Sequence, residues 1–299
     1  PVIAESFEVS INSVQWVVTA YMLVITATLI LFGRLGDKVG VQLIFTWGFL
    51  LFALGSLFCS LANTLFTLIL ARIFQGLGAS MMMATGMGII SNTFPPEEKG
   101  KALGLTGTIV GLGNMSGPAI GGIILSHFSW PAVFLINVPI GIIAFLFGLK
   151  VMPNQPLNST VNRFDLPGFF LFGLFTVTLL LSLSGSAPHR YMWVISLISF
   201  IIFIYWENKA PQSLLDIGLF QIKEFTCGNI MALAAYSAQM TVLFLLPFYL
   251  NDILLLSSSA SGIIMTLMPI FVAVTAPFAG SLSDKIGSHK ILVGAFSIM

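Results

Sequence analysis

Apolar residues run along this chain in long stretches broken only by isolated charges. Runs free of Asp, Glu, Lys and Arg cover residues 9–33, 39–71, 73–96, 102–149, 166–189, 225–251 and 253–283. Each is long enough to cross a bilayer at least once, since about 20 apolar residues in a helix traverse a ~30 Å hydrocarbon core. Dividing the runs at turn signals predicts ten segments: Val14–Phe32, Leu43–Leu61, Phe66–Ser91, Ala102–Leu125, Pro131–Leu149, Leu166–Ser184, Tyr191–Trp206, Phe225–Leu250, Gly262–Gly280 and His289–Met299. A membrane β-barrel needs alternating runs of about ten residues, whereas stretches such as Ile198–Tyr205 are apolar or small on every side. The pattern predicts an all-α polytopic membrane protein. The seventh segment spans only about 24 Å as a helix, but Tyr191, Trp193 and Trp206 supply interfacial anchors at both ends.

Composition agrees with this and narrows the function classes. Charged residues make up 8% of the 299 residues, where a soluble chain carries roughly a quarter. With 57% hydrophobic residues and a net charge of +1, a water-soluble globule is excluded and no basic field suggests nucleic acid. No cleavable signal peptide is evident. The chain begins on Pro1 and its tenth segment holds half a crossing, which predicts a fragment of a longer protein. Cys59 and Cys227 fall inside or at the edge of spans and are expected to be free thiols rather than a disulfide.

The few charges set an orientation. If successive segments alternate in direction, the loops at 34–42, 92–101, 150–165, 207–224 and 281–290 hold ten of the 12 Lys and Arg, and the opposite loops hold only Arg190. The positive-inside rule makes the first set cytoplasmic. Arg72 belongs to neither set. On that side Asn158-Ser159-Thr160 is not expected to be a glycosylation acceptor, and residues 211–225, rich in Leu214, Leu215, Ile217, Leu219, Phe220 and Ile222, predict a connecting helix in the membrane interface.

The cytoplasmic loops contain a duplication. Gly33-Arg34-Leu35-Gly36-Asp37-Lys38-Val39-Gly40 matches Gly280-Ser281-Leu282-Ser283-Asp284-Lys285-Ile286-Gly287 at five of eight positions. Both copies follow a span directly, with eight segments between them, as expected of two halves related by an axis along the membrane normal. The glycines permit a tight turn and close helix approach. The Asp suits the positive N-terminus of a neighbouring helix, a contact that one transporter state makes and another breaks; alternatively each Asp only caps the next helix.

Over its whole length the chain resembles the major facilitator superfamily, specifically its 14-span drug:proton antiporter branch. Gly33 to Gly40 is similar to the superfamily's loop signature after its second span, with Val41 and Gln42 where a basic pair is usual. Eight rather than six segments between the two copies imply two extra central helices, Leu166–Ser184 and Tyr191–Trp206. The resemblance implies a major facilitator fold with an N-terminal half at 1–150, a linker with the extra spans at 151–210 and the start of a C-terminal half at 211–299. Most of the first span and about the last four would then be missing.

Arg72 lies about two turns into the third segment, in Leu68-Ile-Leu-Ala-Arg72-Ile-Phe-Gln75-Gly76-Leu-Gly78-Ala79. An intramembrane Arg is a functional candidate by its burial cost, and Gln75 shares its helix face. Snorkelling to the outer interface, ~9 Å away, is the structural alternative. The string also resembles the family's fourth-span signature, whose arginine is linked to proton transfer. All eleven acids lie at span ends or in loops: Glu5, Glu8 and Asp252 outside, and Asp37, Glu97, Glu98, Asp165, Glu207, Asp216, Glu224 and Asp284 inside or at the inner edge. Proton coupling needs a buried titratable group, so its carboxylate is expected shortly upstream of Pro1.

The fourth segment carries glycines at four-residue spacing, Gly107/Gly111, Gly113/Gly117 and Gly117/Gly121, a face for close helix packing, and Pro118 bends it. Gly113-Asn-Met-Ser-Gly117-Pro118-Ala-Ile-Gly121-Gly122 is similar to the antiporter signature of exporter branches. Phe134-Leu-Ile136-Asn137-Val-Pro139-Ile-Gly141 resembles a sixth-span string of the 14-span branch, with Asn137 a hydrogen-bonding group and Pro139 a bend. Tyr21, Asn137, Tyr236 and Gln239, among other polar and aromatic groups and the run Met81-Met82-Met83, are candidates for an adaptable apolar cavity. His127, His189 and His289 sit at separate span ends, so no metal or catalytic constellation is expected. The sequence therefore predicts a secondary transporter in the cell membrane, not an enzyme. It would sit in the lipid bilayer, use the proton gradient and no bound cofactor, and act by alternating access as a proton-coupled exporter of drugs or other amphipathic organic compounds. Export of one defined metabolite, or a transport-dead sensor or scaffold, are the alternatives.

Overall fold

A computed structural model describes residues 2–152, 165–183, 189–210, 213–256 and 258–287, with short pieces at 290–291 and 294–295. Among them helices alone form: α1 Val2–Ser6, α2 Ile11–Val39, α3 Val41–Ser60, α4 Leu65–Thr93, α5 Lys99–His127, α6 Pro131–Leu135, α7 Asn137–Val151, α8 Leu166–Leu183, α9 His189–Glu207, α10 Lys223–Phe248 and α11 Ser258–Ile286. Among the described residues seven helical stretches are long and apolar enough to cross a membrane. The all-α, many-spanning architecture expected from the sequence is therefore the one observed among the described residues. Most of the tenth predicted segment, and the Asn158-Ser159-Thr160 site, lie outside the described residues.

Helix ends follow local chemistry. Ser10 Oγ accepts the Ser13 N–H at 3.2 Å and starts α2. Thr64 Oγ1 accepts the Thr67 N–H at 3.2 Å at the start of α4. The fifth predicted segment is interrupted at Ile136, between α6 and α7. Pro139 has no N–H to offer the Leu135 carbonyl four residues back, which is where the break falls.

Two further expectations are corrected. Residues 213–222 form no continuous interfacial helix: only a 3-10 turn, Ile217–Gln221, is present. Leu214 is instead drawn into the protein, 3% exposed, so its apolar side chain is not available to a surface stripe. Neither octapeptide is a loop: α2 continues through Gly33 to Val39 and the chain turns at Gly40, and α11 continues through Gly280 to Ile286 and the chain turns at Gly287.

The contacts divide the chain into two compact units, one of residues 1–89 and 124–217, the other of 90–123 and 218–299. In the first, α3 and α4 approach through glycines. A Cβ on Gly55 would lie 2.5 Å from Gln75 Cα, one on Gly78 would overlap the Phe52 nitrogen, and one on Gly48 would lie 2.9 Å from Met82 Cγ. On its other side α4 meets α2, where Thr28 Oγ1 donates to Ser80 Oγ at 2.9 Å and Gly76 faces the Tyr21 carbonyl. Helix α7 packs on α3 through Gly141 against Ala53 and Gly148 against Thr46. Helices α8 and α9 pair through Phe172 with Phe203 and Phe175 with Phe200. In lipid, close backbone approach and interhelical hydrogen bonds replace the hydrophobic driving force that would hold such helices in water.

In the second unit α5 lies against α11. Cβ atoms on Gly100, Gly104 and Gly107 would meet Gly280, Ala276 O and Ala276 Cβ respectively, and Gly111 faces Pro269 and Ala273. Thr108 Oγ1 donates to the Ala273 carbonyl at 3.0 Å. Pro277, within α11, leaves the Ala273 carbonyl without its usual helical donor, so this bond fills a gap the proline makes.

Candidate functional site

Arg72 stands on α4 where the helix faces α2 on one side and α3 on the other. Its side chain turns into the protein. Nε donates to the Val17 carbonyl of α2 at 3.1 Å, and Nη1 donates to Gln75 Oε1 at 2.6 Å. The guanidinium lies over the Tyr21 ring, 3.8 Å from its centroid, with the Phe134 ring 5.8 Å away. A cation desolvated against an aromatic face gains about 2 kcal/mol or more, and the plane of the guanidinium leaves its edge free to donate in two directions.

The polar chain continues inward. Gln75, 1% exposed, donates through Nε2 to Ser56 Oγ at 2.6 Å, and Ser56 donates to the Phe52 carbonyl at 2.8 Å. Cys59 Sγ lies 3.7 Å from Gln75 Oε1 as a weak donor. Gln75 thus uses its oxygen for the arginine and its nitrogen for the serine, so one amide orientation satisfies both neighbours. Gly55 makes this possible: any side chain there would collide with the Gln75 backbone.

Of the residues singled out in the sequence, Arg72, Gln75 and Tyr21 are brought into one network. The sequence makes Tyr21 a candidate for a substrate cavity, whereas in the structure its ring lies under the arginine. Ser56, Cys59 and the Val17 carbonyl carried no sequence signal. Small or apolar residues on other helices look alike until their helix rotation is known. Asn137 opens α7 and is half-buried, while Tyr236 and Gln239 lie on α10 in the other unit, Tyr236 being 65% exposed.

The duplicated octapeptides end their helices in the same way. Gly40 has φ +104° and donates its N–H to Gly36 O at 2.8 Å; Gly287 has φ +87° and donates to Ser283 O at 3.0 Å. Both are backbone conformations that glycine adopts at little cost. Beyond that the copies differ. Asp284 accepts the Gly100 N–H through Oδ1 at 2.7 Å and the Lys101 N–H through Oδ2 at 2.9 Å, so a carboxylate from α11 caps the start of α5. Gly280 presses on the Gly100 carbonyl. In the first copy Asp37 is exposed, Lys38 is half-buried, and a Cβ on Gly33 would meet nothing within 4 Å. Lys285, beside Asp284, is exposed.

The glycine-proline helix divides likewise. The face of α5 formed by Gly100, Gly104, Gly107 and Gly111 meets α11, whereas a Cβ on Gly113, Gly117, Gly121 or Gly122 would have no atom of the described residues within 4 Å. The side chain of Pro118 lies outside the described residues.

Residues 1–299 match the Major Facilitator Superfamily as a whole. The chain is 51% identical over 300 residues to the riboflavin transporter RibZ of Clostridioides difficile, covering 100% of this chain and 66% of that protein. It is 34% identical over 304 residues to the uncharacterized transporter YebQ of Escherichia coli, covering 100% of this chain and 66% of that protein. It is also 32% identical over 297 residues to the multidrug transporter protein MdtP of Bacillus subtilis, covering 97% and 55%. The chain thus spans between about half and two thirds of the length of these relatives.

Proposed function

The chain belongs to the Major Facilitator Superfamily, and from that premise we propose that the whole protein is a secondary transporter that moves riboflavin or a closely related flavin across the cell membrane. The observation that carries the choice of substrate is the 51% identity to a riboflavin transporter, maintained along the entire chain. Broad drug transport is the second reading, favoured by the 32% identity to a multidrug transporter. Both call for a cavity that accepts a flat, amphipathic molecule.

In this reading the proton gradient supplies the energy, and Arg72 with Gln75 takes part in coupling. The network supports that role because it is held by partners on three helices, α2, α3 and α4. A single proton-linked change at Arg72 would be felt by all three. Alternating access would come from rocking of two halves, 1–150 and the half beginning at 211, joined by 151–210. The Asp284 cap on α5 would be a contact made in one state, with the basic loops on the cytoplasmic side. The similarity of Gly113 to Gly122 to an antiporter signature favours export.

The test is transport by the full-length protein in proteoliposomes, with riboflavin and ethidium as separate substrates and an imposed pH gradient. Riboflavin movement that a protonophore abolishes is the expected result. Movement of ethidium alone would replace the flavin reading with the drug reading. Riboflavin movement indifferent to the protonophore would remove proton coupling.

A further inference from the structure

Two acids on the α8–α9 hairpin take no part in the Arg72 network or in the α5 cap. Asp165 directly precedes α8; its Oδ1 accepts the Gly168 N–H at 3.0 Å and the Trp206 indole N–H at 2.8 Å. Glu207 ends α9, one residue beyond the apolar stretch 191–206. It is only 4% exposed, and its Oε2 accepts the Leu215 N–H at 2.9 Å.

The other two oxygens are the anomaly. Asp165 Oδ2 and Glu207 Oε1 are both buried and neither has a hydrogen-bond partner. They converge on one point: a Cβ on Gly168 would overlap Asp165 Oδ2 and come within 2.6 Å of Glu207 Oε1. A helix cap and a loop anchor would account for Oδ1 and Oε2. They would not account for turning two spare acceptors toward each other away from water.

Ionised carboxylates only accept, so two facing oxygens of this kind repel, and burial adds to the cost. Burial raises the Glu207 carboxyl above its ordinary range, Asp165 raises it further by its charge and by hydrogen bonding, and the backbone N–H groups of Leu215 and Leu214 partly offset this. One proton resolves the conflict: it converts one acid into an O–H donor to the other and lowers the pair's charge from −2 to −1.

We propose that Asp165 and Glu207 form a proton-binding pair, holding one proton between Asp165 Oδ2 and Glu207 Oε1 beside Gly168, and that this proton fastens residues 213–215 to the α8–α9 hairpin. The proton comes from bulk water and returns to it; no other bond changes. Among the described residues, charged groups reach the pair from α2, from the end of α9 and from the anchored segment. Helix α2, packed on α8, brings Arg34, whose Nε donates to the Leu214 carbonyl at 2.7 Å, with Asp37 and Lys38 about one turn on. Helix α8 carries no titratable side chain. After α9 comes Lys209, whose ammonium goes to the Tyr205 hydroxyl and ring. Asp216 follows the anchored segment. Because Arg34 and Glu207 hold the carbonyl and the N–H of one peptide group, that between Leu214 and Leu215, losing the proton loosens a junction among α2, α8 and α9.

This pair stands independently of the flavin reading. It is tested by infrared difference spectroscopy of the purified full-length transporter across pH. The expected result is a protonated carboxyl band that persists at least about one pH unit above the ordinary carboxylate range near 4 and disappears in both Asp165→Asn and Glu207→Gln. The amides keep an acceptor for Gly168 and Leu215, which protects folding. Carbon-13 labelling of aspartate or glutamate in the unmodified protein, expected to shift the band in both cases, gives the same information without a variant. A band that ionises in the ordinary range, or that survives either substitution, overturns the proposal. The titration is repeated in choline, sodium and magnesium buffers. An unchanged midpoint supports a proton, and loss of the band on adding a metal cation at fixed pH assigns the pair to that cation and overturns it.

Discussion

Arg72 Nη1 and Gln75 Oε1 lie 2.6 Å apart on successive turns of α4, and the same glutamine reaches across to Ser56 of α3. The arginine is thereby tied through one amide to a helix it does not itself touch by hydrogen bond. Gln75→Leu is expected to keep the volume, leave Arg72 and Ser56 each short of a partner, and destabilise the protein by about 1–3 kcal/mol. Thermal unfolding in detergent measures that loss. Protonophore-sensitive transport should fall at least about tenfold, equivalent to 1.4 kcal/mol; wild-type transport by this variant would separate Gln75 from the coupling machinery.

Arg72→Lys tests geometry at constant charge. An ammonium has no plane to lay over Tyr21 while its edge serves both Val17 and Gln75. The variant should fold and remain unable to drive transport. Full activity would show that Arg72 acts through charge alone.

Asp284 offers a different comparison. Asp284→Ala removes the acceptor for the Gly100 and Lys101 N–H groups and is expected to cost about 0.5–2 kcal/mol, the usual range for a lost helix cap. Asp284→Asn keeps one acceptor and should recover part of it. Unfolding temperatures of the two variants give the difference, and equal losses would show that charge rather than hydrogen bonding holds α5.

Glycine substitutions should sort by contact. Gly55→Ala forces a methyl against the Gln75 backbone and should destabilise by about 1–3 kcal/mol. Gly122→Ala meets no described atom and should change stability by less than about 0.5 kcal/mol. Measured by unfolding, a transport defect in Gly122→Ala at unchanged stability would place that glycine in the moving parts rather than the scaffold.

The pH dependence of stability has a definite sign at Glu207. Its carboxyl is raised in the folded protein, chiefly by burial, so the native state binds its proton more tightly than the unfolded chain does. The stabilisation is fully present below the ordinary glutamate range and is lost as pH rises through the raised value. Unfolding temperatures of the unmodified protein should therefore decline over that interval, and Glu207→Gln should flatten the decline. A slope unchanged in the variant would assign it to other groups.

Much of the architecture is legible in the sequence. Nine of the ten predicted segments coincide with helices, because a bilayer requires about 20 apolar residues with every backbone group bonded internally. The duplication was equally visible, since Gly40 and Gly287 mark the same helix ending at both sites. What failed was local. An apolar stripe at 214–222 looked like an interfacial helix, and only packing draws Leu214 inside. Nor could spacing tell which glycines of α5 touch a neighbour.

The membrane class, the helical spans, the repeat and the isolation of Arg72 are all readable along the chain, because each follows from where charge is absent or recurs. Tertiary structure decided which residues answer that charge and which acids meet. Arg72 with Tyr21 and Ser56, Asp284 with Gly100, and Asp165 with Glu207 are separated by 16 to 184 positions. Their meeting depends on the rotation and depth of packed helices, which hydropathy along the chain does not encode.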